Sequence, residues 1–188
     1  MKVRWLGNSC LEIFGDQHIL IDPNFLVEPE KKPDLVLVTH EHDDHFDPDD
    51  FEMYGSDAKP LAPEPTLKKF DLDGIGAEPG MYFKDFEILD CQCWKAEKSV
   101  SYYYKGVLHS GDSNVFPDVE NVKLLFTACF PDYYDDYISA AKRLEAEKVI
   151  PFHYNPEEGT DDAERLVELM EDEGINDTIL ELGESVEI

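Results

Sequence analysis

The chain opens with three short runs in which apolar and polar positions alternate, Lys2 to Leu6, Cys10 to Phe14 and His18 to Asp22, separated by Gly7-Asn8-Ser9 and Gly15-Asp16-Gln17. Period-two alternation between turn-forming tripeptides predicts an antiparallel meander. Asp22-Pro23-Asn24 breaks the pattern, and a loop through Pro29 and Pro33 leads to Leu35-Val36-Leu37-Val38, the continuous apolar run of a strand buried on both faces. Asp47-Pro48-Asp49-Asp50 then places a proline in a first turn among acids, the signature of a short helix. Further on, the pattern predicts strands at Lys59 to Ala62, Phe83 to Cys93, Ser99 to Tyr104, Val107 to Ser110 and Val122 to Thr127, with a helix from Glu64 to Phe70. Ile138, Ala141 and Leu144 recur at helical spacing within a predicted helix from Asp136 to Glu147, followed by a strand from Val149 to Phe152. The strongest helical pattern comes last: Ala163, Leu166, Val167 and Met170 form an apolar stripe, Asp161 and Glu164 form a capping-box pattern, and Gly174 marks the stop. Many short strands with a few amphipathic helices predict an α/β or α+β layered sandwich.

At 188 residues the chain suits one domain over 1–188, large enough for a core that needs no disulfide or metal staple. No apolar run approaches membrane-spanning length, and the first residues lead into alternating sequence rather than a signal-peptide apolar region. The expectation is a soluble, cytoplasmic protein with no membrane partner. Cys10, Cys91, Cys93 and Cys129 form no C-x-x-C pair, which argues against a zinc ribbon or a disulfide framework. They read as small buried residues, Cys91 and Cys93 sharing a face with Leu89 in their predicted strand. The formal charge is −27, from 43 acidic and 16 basic residues. Such a surface repels polyanions and offers no basic track, so a nucleic-acid substrate is disfavoured and a small molecule preferred. The acidity itself reads first as an adaptation of the surface.

The candidate chemistry is concentrated in Thr39-His40-Glu41-His42-Asp43-Asp44-His45, which holds three of the six histidines. Imidazole is the commonest protein metal ligand, and the preceding apolar strand would deliver the cluster to its C-terminal end. His40 and His42, two apart in extended chain, project to the same side, and His45 in a turning segment can come round to them. Asp44 would face a second ion or a metal-bound water. The alternative is a solvated acidic loop that happens to contain histidines. Two later strands also end in metal-capable residues: Val107 to Ser110 runs into Gly111-Asp112, and Val149 to Phe152 runs into His153. His18, alone in the meander, reads as a structural histidine.

Thr39 to His45 resembles the H-x-H-x-D-H signature of the metallo-β-lactamase superfamily, with His40, His42, Asp44 and His45 in the signature positions. Leu20-Ile21-Asp22-Pro23, His109-Ser110-Gly111-Asp112 and Ile150-Pro151-Phe152-His153-Tyr154 are similar to the corresponding segments of its UlaG-like branch of small metal-dependent hydrolases. The resemblance implies a four-layer αββα sandwich and one or two divalent ions, zinc first, with manganese or iron as alternatives. It also implies that His40, His42 and His45 hold a first metal, that Asp44 and His153 hold a second, and that Asp112 bridges them. The implied activity is hydrolysis of a small ester, lactone or phosphodiester by a metal-activated water, with Asp44 orienting the nucleophile or accepting its proton. His109 is then a hydrogen-bond partner behind the metals or a packing residue, and Tyr133 to Tyr137 line the pocket mouth or pack.

One ligand of the superfamily is missing, because no histidine occurs from Asp47 to Leu108 and alignment puts Lys95 in its slot. A protonated lysine cannot ligate. Three outcomes stay open: a first metal with three histidines and water, an unusual ligand from Lys95 or Cys93, or a degenerate site. The last corresponds to a non-catalytic metal- or ligand-binding protein on the same fold.

Overall fold

A computed structural model describes residues 1–188. The chain divides into two compact units. The first comprises Met1–Ala77, Lys95–Ser99 and Leu180–Ile188, and the second comprises Glu78–Trp94 and Val100–Ile179. Each unit is built on one mixed sheet.

In the first unit the predicted meander forms as β1 (Lys2–Trp5), β2 (Leu11–Phe14) and β3 (His18–Ile21), antiparallel in the register Val3 to Ile13 and Ile13 to Ile19. Gly7, at φ +98, turns the chain between β1 and β2, and a Cβ there would meet Leu26 at 2.7 Å, so glycine is required on both counts. β4 (Leu35–Leu37), β5 (Leu61–Ala62) and β6 (Ile75–Gly76) continue the sheet in parallel from β3, and the strand Ser185–Glu187 closes its other edge beside β1. β4 is buried at every position, which explains its unbroken apolar run, and β3 is buried throughout as well, so its Ile19-Leu20-Ile21 departs from the alternation expected of the meander.

The buried His18 at the start of β3 is structural. Its Nδ1 lies 3.0 Å from the Lys32 carbonyl and its Nε2 2.8 Å from Glu12. The fully buried Glu12 also accepts from Arg4 and from the backbone N–H of Glu30, each at 2.8 Å. The helix predicted at Pro48 is α1 (Pro48–Asp50), capped by Asp47, whose side chain accepts from the N–H groups of Asp49 and Asp50; it runs on into a wider turn, Phe51–Gly55. α2 (Glu64–Lys69) follows β5. Phe46 stacks near Phe51 and Phe70, with ring centroids 5.2 and 4.6 Å away, in a cluster with Val38 and Ala62.

The second unit carries β7 (Tyr82–Phe83), β8 (Phe86–Asp90), β9 (Val100–Tyr104), β10 (Val107–His109), β11 (Leu124–Thr127) and β12 (Lys148–Pro151), in that order across the sheet. The strand predicted from Phe83 to Cys93 is two strands, because Lys84, at φ +53, reverses the chain; β8 then stops at Asp90, and Gln92 makes only an isolated bridge to Val115. β10, β11 and β12 are parallel, so all three end on one edge of the sheet.

α3 (Tyr134–Arg143) starts two residues before its predicted beginning, after a tight turn at Pro131–Tyr133, and ends early because Glu145 takes φ +48. α4 (Asp161–Asp172) has the predicted apolar stripe, with Ala163, Leu166 and Met170 buried, and Gly174 at φ +71 just past its end. The capping box at Asp161 and Glu164 does not form; the Thr160 hydroxyl donates to Glu164 instead, at 2.6 Å. Tyr137, Ala140, Leu144, Leu166 and Met170 join Leu108, Leu125 and Val149 in one core. No helix is long and apolar enough to cross a membrane.

Candidate metal centre

In the first unit the histidine segment leaves the end of β4 as the sequence pattern predicts. Val38 donates to the Leu61 carbonyl, extending the pairing by one residue, and Thr39 and His40 are fully buried beyond it. The buried carboxylate of Asp22, just after β3, is the hub. It accepts from the Thr39 N–H at 2.7 Å, from the Thr39 hydroxyl at 2.8 Å and from His45 Nδ1 at 2.6 Å. Because the Thr39 proton goes to Asp22, the Thr39 oxygen is left to accept from His40 Nδ1 at 3.0 Å. These bonds set the ring tautomers: the protons stand on Nδ1 of His40 and His45, and the lone pairs on Nε2.

The three rings of the cluster come together, with centroids 4.5 Å apart for His40 and His42 and 3.9 Å apart for His40 and His45. The ligand atoms of His40 and His42 lie within 4.8 Å of each other, as do those of Asp44 and His45. Asp44 is exposed, whereas His45 is fully buried. The backbone of the segment is tied down from several sides. Lys69 donates to the Glu41 carbonyl and to the Asp43 carboxylate, both at 2.7 Å, Asn24 donates to the Asp43 carbonyl at 2.9 Å, and the Glu97 N–H donates to the Glu41 carboxylate.

In the second unit Asp112 and His153 are brought together from the ends of β10 and β12. His153 Nε2 lies 3.3 Å from Asp112, with the two side chains 11% and 8% exposed. Gly111, at φ +59, makes the turn, and its N–H donates to His109 Nδ1 at 3.1 Å. His109 is fully buried and edge-on to Phe152, with ring centroids 4.9 Å apart, so it packs and braces the Gly-Asp turn. The Cys93 sulfur is within 4.8 Å of an Asp112 oxygen. Lys95, which alignment puts in the missing slot, is exposed and lies at φ +64.

Of the tyrosines expected at a pocket mouth, Tyr137 is fully buried in the core and Tyr134 donates to the Asp162 carbonyl at 2.7 Å, so these two pack and tie the helices. Burial, helped by the nearby Asp162 and Asp112 carboxylates, pushes the Cys129 thiol up to about 12, which leaves it protonated and inert.

Asp22 and Thr39, which hydrogen-bond to the histidine rings, are residues to which the sequence pattern assigned no role at the site. A signal was present in the form of an aspartate directly after a fully apolar strand.

Paired histidines and carboxylates at the ends of strands in mixed sheets define a protein built to hold divalent metal. The family model for the beta-lactamase superfamily domain matches residues 2–153, and the chain belongs to that family. A UPF0173 metal-dependent hydrolase of Thermoplasma acidophilum is 29% identical over 197 residues, which cover 82% of this chain and 84% of the relative. Among solved structures, the metallo-beta-lactamase fold protein YhfI of Bacillus subtilis is similar with a TM-score of 0.74, at 18% identity and 98% coverage of both chains. CmlA, a diiron beta-hydroxylase of Streptomyces venezuelae, is similar with a TM-score of 0.72 at 14% identity, covering all of this chain and 54% of CmlA. The fold is therefore that of the metallo-β-lactamases.

Proposed function

We propose that this protein is a metal-dependent hydrolase of a small ester, lactone or phosphodiester, with one or two divalent ions held by His40, His42, Asp44, His45, Asp112 and His153. The observation that carries the proposal is the hydrogen bonding behind the histidines. Metal-ligating histidines donate their second ring N–H to a carboxylate or a similar acceptor, and the Asp22 and Thr39 contacts do this for His45 and His40. A solvated acidic loop has no reason to place a buried carboxylate there, and the nitrogen and oxygen donors present fit a divalent ion.

Within the first unit the pairing of ligand atoms supports a sorting in which His40 and His42 serve one ion and Asp44 and His45 the other. This moves His45 from the ion to which the sequence resemblance assigns it. A divalent ion held by these residues would supply a Lewis acid, lowering the pKa of water from about 15.7 towards neutrality. The chain's own part is to orient: Asp22 and Thr39 fix the imidazole tautomers, Lys69 and Asn24 hold the backbone between the ligands, and Asp44 is the exposed carboxylate placed to take the proton of the attacking water. Zinc suits this donor set first, with manganese and iron as alternatives, iron being supported by the diiron neighbour.

Because one family model spans residues from both units, we treat 1–188 as one domain. Four free cysteines suit a reducing compartment, and we assign the protein to the cytoplasm. The test is elemental analysis of protein purified without added metal, together with turnover of a lactone and a phosphodiester panel. Bound metal with activity lost in His40→Ala is the expected result. Absent metal and unchanged activity in that variant would reject the hydrolase. Firmly bound metal with no turnover would instead favour the non-catalytic binding protein that the missing histidine suggests.

A further inference from the structure

We propose that Cys93 is a thiolate ligand in this metal site and occupies the role of the histidine that the sequence lacks. The inference rests on the metal-site reading above. In the second unit two donors lie close to Asp112: His153, whose Nε2 is 3.3 Å away, and Cys93, whose sulfur falls within 4.8 Å of an Asp112 oxygen. A carboxylate with two ligating side chains within reach can serve as a shared ligand, with His153 on one ion and Cys93 on the other.

The distances are compatible. With a zinc–sulfur bond of about 2.3 Å and a zinc–oxygen bond of about 2.0–2.2 Å, the two donors of one tetrahedral ion stand about 3.5 Å apart. The Cys93 sulfur, within 4.8 Å of an Asp112 oxygen, is already in the neighbourhood of that separation. Cys93 is half-buried, and its thiol lies 3.6 Å from the Trp94 carbonyl, a long contact that a metal bond would replace. Cys10, Cys91 and Cys129 are all buried, and Cys129 already donates to the Phe152 carbonyl at 3.4 Å. Lys95, exposed at a left-handed turn, brings no lone pair when protonated. A thiolate in place of an imidazole makes the site softer, so zinc and cobalt should be favoured over manganese more strongly than in an all-histidine site.

The experiment is cobalt(II) loading of the full chain, followed by absorption spectroscopy and, for the zinc form, X-ray absorption at the zinc edge. The expected result is an intense near-ultraviolet thiolate-to-cobalt band together with visible ligand-field bands. In Cys93→Ser the near-ultraviolet band should vanish while ligand-field bands remain, and Cys129→Ser should keep both. Zinc affinity in Cys93→Ser should fall by at least the roughly 10–100-fold that loss of an outer-shell partner costs, with a smaller loss for manganese. Ligand-field bands without a thiolate band in the wild type, or a thiolate band that persists in Cys93→Ser, would overturn the assignment of Cys93 and leave the metal site standing. Failure of the wild type to bind cobalt or zinc at all would remove both.

Discussion

Replacing Glu12 by glutamine tests the buried ion cluster that locks the meander. Glu12 is fully buried, His18 beside it is 1% exposed and Arg4 13% exposed, and the carboxylate accepts from both side chains and from the Glu30 backbone. The substitution keeps the volume but neutralises the one negative charge in the cluster and turns an amide N–H₂ towards a donor. Breaking a buried charged pair in this way costs about 3–5 kcal/mol, because the remaining charge stays buried without compensation. For a chain of this length that corresponds to a fall in Tm of about 6–20 °C.

Thermal unfolding followed by fluorescence reads the first unit directly, since Trp5 is fully buried on β1 and Trp94, 68% exposed, contributes little to the change. The control is Lys2→Ala, which removes an exposed pair with Glu30 worth no more than about 1 kcal/mol.

The pH dependence has a definite sign. Burial by itself raises the Glu12 carboxyl, but the hydrogen bonds from His18, Arg4 and the Glu30 N–H outweigh it and hold the group below its ordinary value of 4.5. A lowered folded-state pKa stabilises the protein above that value, and the contribution is lost as pH falls through the folded pKa. The deficit of Glu12→Gln should therefore be full at neutral pH and shrink under acid conditions below 4.5. A deficit under about 1 kcal/mol at pH 7, or one that grows on acidification, would refute the reasoning.

Asp22→Asn should leave the chain folded yet weaken metal binding about 10–100-fold, because the amide orients His45 less firmly than the carboxylate; a competing chelator measures this, and unchanged affinity would count against Asp22 as the hub. The Tyr137 hydroxyl is buried and makes at best a poor hydrogen bond to the Phe130 backbone, so Tyr137→Phe should cost no more than about 1 kcal/mol in urea unfolding, and a larger loss would reveal a stronger partner. Alkylation of the folded, metal-free protein at pH 8 should modify Cys93 first, since Cys10, Cys91 and Cys129 are buried and burial raises the Cys10 and Cys129 thiols; mass mapping checks the order, and early labelling of Cys129 would contradict it.

Much of the fold was legible along the chain because it rests on short-range physics. Alternation and turn residues specify the meander, an unbroken apolar run marks β4 as buried on both faces, and a helical stripe with Gly174 after it specifies α4. The histidine segment was equally plain, since its donors lie within six consecutive positions. Errors fell where one residue's backbone angle decides. Lys84 and Glu145 both adopt positive φ, splitting one predicted strand and shortening one helix, and neither residue type announces it.

The sequence by itself determined the strand-end location of the metal-capable residues and the family to which they belong. Only the tertiary structure decided which side chain stands behind which ligand. Asp22 and His45 are 23 positions apart and meet because β3 and β4 pair in parallel and end side by side. The same holds for Cys93 against Lys95. Alignment with the strand that precedes the slot in the family puts Lys95 there, but β8 ends at Asp90, and the chain beyond it takes a path that brings the Cys93 sulfur near Asp112 and leaves Lys95 exposed at a left-handed turn. Local pattern specifies which residues end each strand, whereas pairing between distant strands specifies what they face.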